Sequence, residues 1–227
     1  MYHLSENIVF PHPKLSDPDG MLAIGGDLRP ERLIHAYRRG IFPWYSSDEP
    51  ILWWSPDPRL VLYPNELHVS RSLKKVLGRG VFTVTMDQNF RDVITECAEI
   101  PREGQGGTWI TSEMIEAYCE LHEIGVAHSV EVWQDGALVG GLYGVSVGGC
   151  FCGESMFARK SNASKVGFVT MVRSMRNQSL CLIDCQVTTS HLMQLGAREI
   201  SRRRFLSELA KALKLPPLDF HYHHRTS

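Results

Sequence analysis

The chain has 227 residues, 43% hydrophobic and 22% charged, so it can bury most of its surface without a disulfide framework or a structural metal. Lys and Arg number 24 against 25 Asp and Glu, a formal net charge of -1 that excludes a uniformly basic coat for nucleic acid but allows a local basic patch. Residues 1–14 carry no apolar secretory run. The longest uncharged stretch, 137–153, is broken by six glycines and is shorter than the ~20 apolar residues of a membrane span. No membrane association and a cytoplasmic location are therefore expected, and the six cysteines, set in apolar or periodic stretches, read as buried free thiols.

Residues 1–58 are rich in proline, glycine and aromatics, as in Phe10-Pro11-His12-Pro13 and Ile41-Phe42-Pro43-Trp44-Tyr45. They predict a small loop-rich N-terminal domain with one short helix, entered at Pro30 and stopped at Gly40. Residues 59–227 alternate between strand and helix patterns. Strands are predicted at 59–63 and 81–86, with a basic helix at 70–77 between them and a further helix at 89–98. A clearer helix covers 111–123, where Met114, Ile115, Tyr118 and Leu121 share a face and Gly125 supplies the stop. The strand at 128–133, the Asp135-Gly136 turn, the strand 138–147, the Gly148-Gly149 turn and the strand 150–157 predict an antiparallel meander. A helix at 164–177, a buried strand at 180–187, a short helix ending at Gly196 and a last helix at 203–213 complete an α+β domain with a mostly antiparallel sheet.

The strand 180–187 is apolar except for Asp184 and Gln186, which alternation puts on one face. A buried carboxylate must be paired or hydrogen-bonded, so the pair is either a satisfied structural network or a polar active-site floor. In the strand 150–157, Glu154 shares a face with Cys152 and Met156, and Gly153 beside it marks a bulge or the close approach of a ligand. Two acidic groups on neighbouring strands would suit a cationic substrate. Trp44 lies in a proline-rich loop and Trp109 follows the glycine-rich run Gly104-Gln105-Gly106-Gly107-Thr108, while Arg71, Lys74, Lys75 and Arg79 form a basic helix face. Indoles stack on bases and such cations hold phosphates. On composition and spacing alone, however, tryptophans that pin loops to the core and a solvated helix face are the favoured reading. Cys150-x-Cys152 lacks the second pair of a zinc site, and no P-loop, G-x-G-x-x-G or G-x-S-x-G motif is present. The polar tail His221-Tyr222-His223-His224 reads as disordered rather than metal-binding.

Taken in order, Leu22-Ala23-Ile24-Gly25-Gly26-Asp27-Leu28, Arg39-Gly40-Ile41-Phe42-Pro43-Trp44, Leu52-Trp53-Trp54-Ser55-Pro56-Asp57-Pro58-Arg59, Gly107-Thr108-Trp109-Ile110-Thr111, His128-Ser129-Val130-Glu131-Val132-Trp133, Phe151-Cys152-Gly153-Glu154-Ser155-Met156-Phe157 and Leu182-Ile183-Asp184-Cys185-Gln186 resemble the leucyl/phenylalanyl-tRNA–protein transferase family. The resemblance implies a small N-terminal domain on a GNAT-like (acetyltransferase-like) catalytic domain. It also implies transfer of leucine or phenylalanine, and less readily methionine, from aminoacyl-tRNA to the α-amino group of proteins beginning with Arg or Lys, which marks them for N-degron degradation. No metal, ATP, acetyl-CoA or other cofactor is implied, in keeping with the absence of a glycine-rich pyrophosphate loop after Phe157.

By the same resemblance, Trp44 and Trp109 bind the 3′-terminal adenosine and Glu154 lies near the ester. Gln186 accepts a hydrogen bond from the attacking amine while Asp184 polarises its amide, with Asp184 or the leaving ribose oxygen taking the proton. The side-chain pocket falls on Leu142, Met156, Met171, Met175 and Ile183, although strict alternation turns Ile183 away from Asp184. Met171 and Met175, one helical turn apart, replace rings with flexible thioethers, so methionine is expected to be tolerated better than in an aromatic pocket. The basic residues of the helix 70–77 and Arg79 contact tRNA phosphates. A monomer is expected, since nothing resembles a coiled coil. Two rival readings are an acetyl-CoA-dependent N-acetyltransferase, which lacks its loop here, and a non-catalytic RNA-binding module, which leaves Asp184, Gln186 and Glu154 without a role.

Overall fold

The computed structural model describes residues 2–100 and 109–220. The N-terminal segment is more ordered than its texture predicts. Four short strands, β1 (Tyr2–Leu4), β2 (Met21–Gly25), β3 (Phe42–Pro43) and β4 (Leu52–Trp54), form a sheet in the order β1-β2-β4-β3. Strands of two to five residues are too short for an alternation signal, which is why the sequence reads as loops. The helix α1 (Pro30–Tyr37) packs on this sheet, and the chain turns out of it at Gly40, whose φ of +72° is left-handed. Buried Trp53 donates from Nε1 to the Gly25 carbonyl at 2.8 Å and meets the Phe10 ring edge-on.

The second sheet has seven strands: β5 (Arg59–Leu62), β6 (Thr83–Met86), β7 (Ala127–Gln134), β8 (Ala137–Val147), β9 (Cys150–Ala158), β10 (Leu182–Gln186) and β11 (Arg198–Ile200). Their order is β11-β5-β10-β9-β8-β7-β6, and every pairing is antiparallel except β9 with β10. The helices are α2 (Arg71–Gly78), α3 (Phe90–Glu99), α4 (Ser112–Glu123), α5 (Ala163–Met175), α6 (Ser190–Gln194) and α7 (Arg202–Ala212). Ser70, Thr111, Thr189 and Ser201 cap α2, α4, α6 and α7 by accepting a backbone N–H from the first turn. The expected α+β class and mostly antiparallel sheet hold. The edge strand β11, three residues long, was not foreseen.

Two hydrophobic clusters cover the two faces of the large sheet. One joins α1, β3 and Trp53 to α3, α4 and α7; the other surrounds α5, with Leu73 of α2 packed into it. Five cysteines are buried as expected, and all six are free. Cys181, just before β10, is exposed instead. No helix among the described residues is long and apolar enough to cross a membrane.

Candidate active site

β9 and β10 pair in parallel only from Leu182 opposite Cys150 to Asp184 opposite Cys152. Past that point the strands part, and each carries a bulge. In β9 the register jumps from Gly153 opposite Gly144 to Ser155 opposite Tyr143, so Glu154 is the extra residue. In β10 it jumps from Asp184 opposite Val61 to Gln186 opposite Leu60, with Cys185 left over and Gln186 at a left-handed φ of 61°. A bulge re-aims the side chains that follow it. Gly153 stands at the parting, where a Cβ would meet only the Asp184 carbonyl oxygen, at 3.8 Å.

A cavity of about 510 Å³ opens there, lined by residues of both hydrophobic clusters. Glu154 and Gln186 face it together, and Gln186 Nε2 donates to Glu154 Oε1 at 2.7 Å. Tyr118 of α4 donates its hydroxyl to Glu154 Oε2 at 3.3 Å and is hydrogen-bonded to the hydroxyl of Tyr37 at the end of α1. Among the described residues no arginine or lysine pairs with Glu154, and burial pushes its carboxyl up to about 7, although hydrogen bonds from Tyr37, Gln186 and Tyr118 pull the other way. Burial, with Glu154 nearby, holds both phenols well above their ordinary range, so they act as neutral donors.

Asp184 occupies a different environment. It does not line the cavity, and a guanidinium grips it: Arg59 Nε reaches Oδ1 at 2.7 Å and Nη2 reaches Oδ2 at 2.6 Å, with both side chains 1% exposed. Asp184 Oδ1 also accepts the backbone N–H of Gln186 at 3.0 Å. Two expectations are thereby corrected. Asp184 and Gln186 do not share a face, because the bulge between them breaks strand alternation. Nor does Asp184 touch the Gln186 side-chain amide, whose carboxylate partner is Glu154. The parallel expectation for β9 fails for the same reason: Cys152 belongs to the core beside Cys150, with the two sulfurs 4.0 Å apart, while Glu154 faces the cavity.

The apolar part of the cavity includes Leu142, Met156 and Ile183, three of the five residues expected there. Met171 and Met175 are absent from the lining and fully buried in the core around α5. They lie on the face of α5 that presents Ser164 and Phe168 to the cavity, but one to two turns beyond it at 1.5 Å per residue. Helical spacing identified the face and missed the depth. Phe151, Phe157 and Phe168 line the cavity instead, so the expected replacement of rings by the thioethers of Met171 and Met175 does not occur.

Trp44 and Trp109, both half-buried, line the same cavity, as do Phe42 and Pro43 of β3. Trp44 is held from behind by Trp54, whose Nε1 donates to its carbonyl at 2.7 Å. Arg71, Lys74 and Lys75 are exposed on α2, which packs against α5, and Arg79 is exposed at its C-cap. The run 104–108 before Trp109 and the tail 221–224 lie outside the described residues.

Sequence reasoning missed Tyr37, Tyr118 and Arg59. Arg59 had a signal: a charged residue opening an otherwise apolar strand needs a buried partner. Tyr118 was read only as part of an apolar helix face, although a buried phenol brings a hydroxyl that must be satisfied.

The family model described as leucyl/phenylalanyl-tRNA protein transferase matches residues 61–210, and the model of that family's N-terminal domain matches 26–57. A leucyl/phenylalanyl-tRNA–protein transferase of Myxococcus xanthus is 60% identical over 208 residues, 92% of this chain and 89% of that protein. One of Flavobacterium johnsoniae is 56% identical, over 92% of this chain and 99% of that protein. Among solved structures, a GCN5-related N-acetyltransferase from Kribbella flavida covers 74% of this chain and 59% of its own at 10% identity and a TM-score of 0.36, too slight a likeness to argue from. With a family match over most of its length and relatives this similar, the chain belongs to the leucyl/phenylalanyl-tRNA–protein transferase family.

Proposed function

We propose that this transferase moves leucine or phenylalanine, and methionine less readily, from aminoacyl-tRNA to the α-amino group of proteins that begin with Arg or Lys, and so commits them to N-degron degradation. It acts as a cytoplasmic monomer with the two units 1–58 and 59–227, and needs no cofactor. The observation that carries this reading is the Glu154–Gln186 pair, an acidic group with no cationic partner among the described residues, in a largely apolar cavity that two tryptophans also line. An acidic group there suits a cationic chain end. The rings of Phe151, Phe157 and Phe168 suit a leucine or phenylalanine side chain, and Trp44 and Trp109 the terminal adenine. Arg71, Lys74, Lys75 and Arg79 take tRNA phosphates.

The ester of aminoacyl-tRNA is already activated, so orientation supplies much of the rate; holding the two reactants in place is worth ~7–11 kcal/mol. The amine must be neutral to attack, and an α-amino group titrates at roughly 7.7–8.0. Because Gln186 gives its amide N–H to Glu154, its amide oxygen remains for the N–H of the amine. The amine nitrogen bonds to the ester carbonyl carbon, the bond from that carbon to the ribose oxygen breaks, and the ribose oxygen leaves as a hydroxyl. The amine loses one proton and the ribose oxygen gains one: it passes directly between them, or ionised Glu154 takes it from the amine and returns it to the ribose oxygen, while the Gln186 amide orients the amine without itself gaining a proton. Asp184, tied to Arg59, is poorly placed for that task.

The deciding experiment mixes the purified protein with labelled Leu-tRNA and a peptide starting with Arg, with nothing else added but buffer and salt. Label should pass to that peptide and not to the same peptide starting with Ala. Equal labelling of both, or none of either, defeats the proposal.

A further inference from the structure

Gln186 is held in a conformation its residue type disfavours. A left-handed φ of 61° costs a side chain energy that glycine escapes, and the positions around it must enforce it. The enforcing contact is the Asp184 carboxylate, which turns forward onto the Gln186 N–H two residues on. Asp184 is itself immobilised, because the planar guanidinium of Arg59 meets it with two parallel N–H···O bonds. The same guanidinium lies between the rings of Phe42 and Phe205, 4.8 and 4.4 Å from their centroids. β3, α7 and β10 therefore converge on one arginine of β5. Arg59 does not line the cavity, and its only charged partner among the described ion pairs is Asp184.

We propose that Arg59 is a positioning residue for aminoacyl transfer: through Asp184 it fixes the left-handed bulge that brings the Gln186 amide against Glu154 and into the cavity. This rests on the role given to Gln186 above. Asp184 is then part of a clamp on the backbone and not an acid–base group, since its oxygens are occupied by the guanidinium and the Gln186 N–H. Lysine in place of Arg59 keeps the buried positive charge and loses the fork. Folding should survive that change better than the bulge does.

The test is a double-mutant cycle on the full chain, with kcat and both KM values measured for Leu-tRNA and an Arg-starting peptide in the wild type, Arg59→Lys, Gln186→Ala and the double variant. Arg59→Lys should lower kcat about tenfold or more with both KM values within about twofold, and should change kcat by less than about twofold once Gln186 is alanine. Equal fold losses in the two backgrounds, a loss confined to KM, or an unchanged kcat overturns the proposal. If Arg59→Lys does not fold, Asp184→Asn goes through the same cycle and is read in the same way. A Gln186→Ala enzyme with wild-type kcat removes the role of Gln186 and the clamp with it, which separates that failure from additive losses, where only the clamp falls.

Discussion

Asp184 and Glu154 are carboxylates on adjacent parallel strands, two residues apart in register, yet their surroundings differ in almost every respect. Asp184 is sealed in the core, bidentate to an arginine and one residue short of the bulge. Glu154 stands in a bulge at the cavity, with neutral donors and, among the described residues, no cation paired to it. The difference teaches that the parting of β9 and β10 divides a sealed ion pair from a carboxylate that lines the cavity. Where the strands still pair, charge is cancelled and geometry is held; where they separate, Glu154 and Gln186 line the cavity in which the proposed transfer would run.

Removing the sealed carboxylate should have the largest effect. Asp184→Ala leaves Arg59 buried without its partner, and loss of one member of a buried pair costs ~3–5 kcal/mol. Urea unfolding should show a loss of that size. A change below ~1 kcal/mol would mean that the pair holds nothing, and the contrast with Glu154 would disappear.

Glu154 should behave in the opposite way. Its folded value of about 7 lies above the ordinary 4.5, so between those pH values the folded chain holds a proton that the unfolded chain has released. The stability it contributes is full below 4.5 and is lost as pH rises through 7. Glu154→Gln should therefore gain stability relative to the wild type on going from pH 5 to pH 8, read as a shift in urea midpoint. In transfer assays the wild-type rate should rise through about pH 7 as Glu154 ionises, and Glu154→Gln should lose that inflection and keep only the one from the amine. An unaltered pH profile would show that the open carboxylate plays no part in the reaction.

The smallest effect belongs to the periphery. Lys74→Glu with Lys75→Glu should weaken binding of tRNA and flatten its salt dependence by about two counterions, with kcat at saturating tRNA little changed. An unchanged salt slope would take the phosphate track away from α2.

Much of the fold was legible because its elements are long and periodic. The helices at 90–99, 112–123 and 163–175 and the meander from 127 to 158 fall within a few residues of their expected bounds. The N-terminal sheet was illegible because its strands are too short to have a period. At the site, the unusual residues Glu154, Asp184, Gln186, Trp44 and Trp109 stood out, and of these only Asp184 is absent from the cavity wall. The pocket was half legible: Leu142, Met156 and Ile183 line it, while Met171 and Met175 show that a shared helix face does not fix depth along the axis.

The sequence by itself determined the family, the order of the long helices and of the meander strands, and which polar residues interrupt apolar strands, because each of these is written in local pattern and residue type. Only the tertiary structure decided that Glu154 rather than Asp184 meets the Gln186 amide, and that Arg59, Tyr37 and Tyr118 stand behind them. The physical reason is that a bulge reverses alternation: Gly153 flagged the one in β9, but nothing in Asp184-Cys185-Gln186 marks the one in β10. A buried charge is settled by partners that the chain brings from as far as 125 positions away.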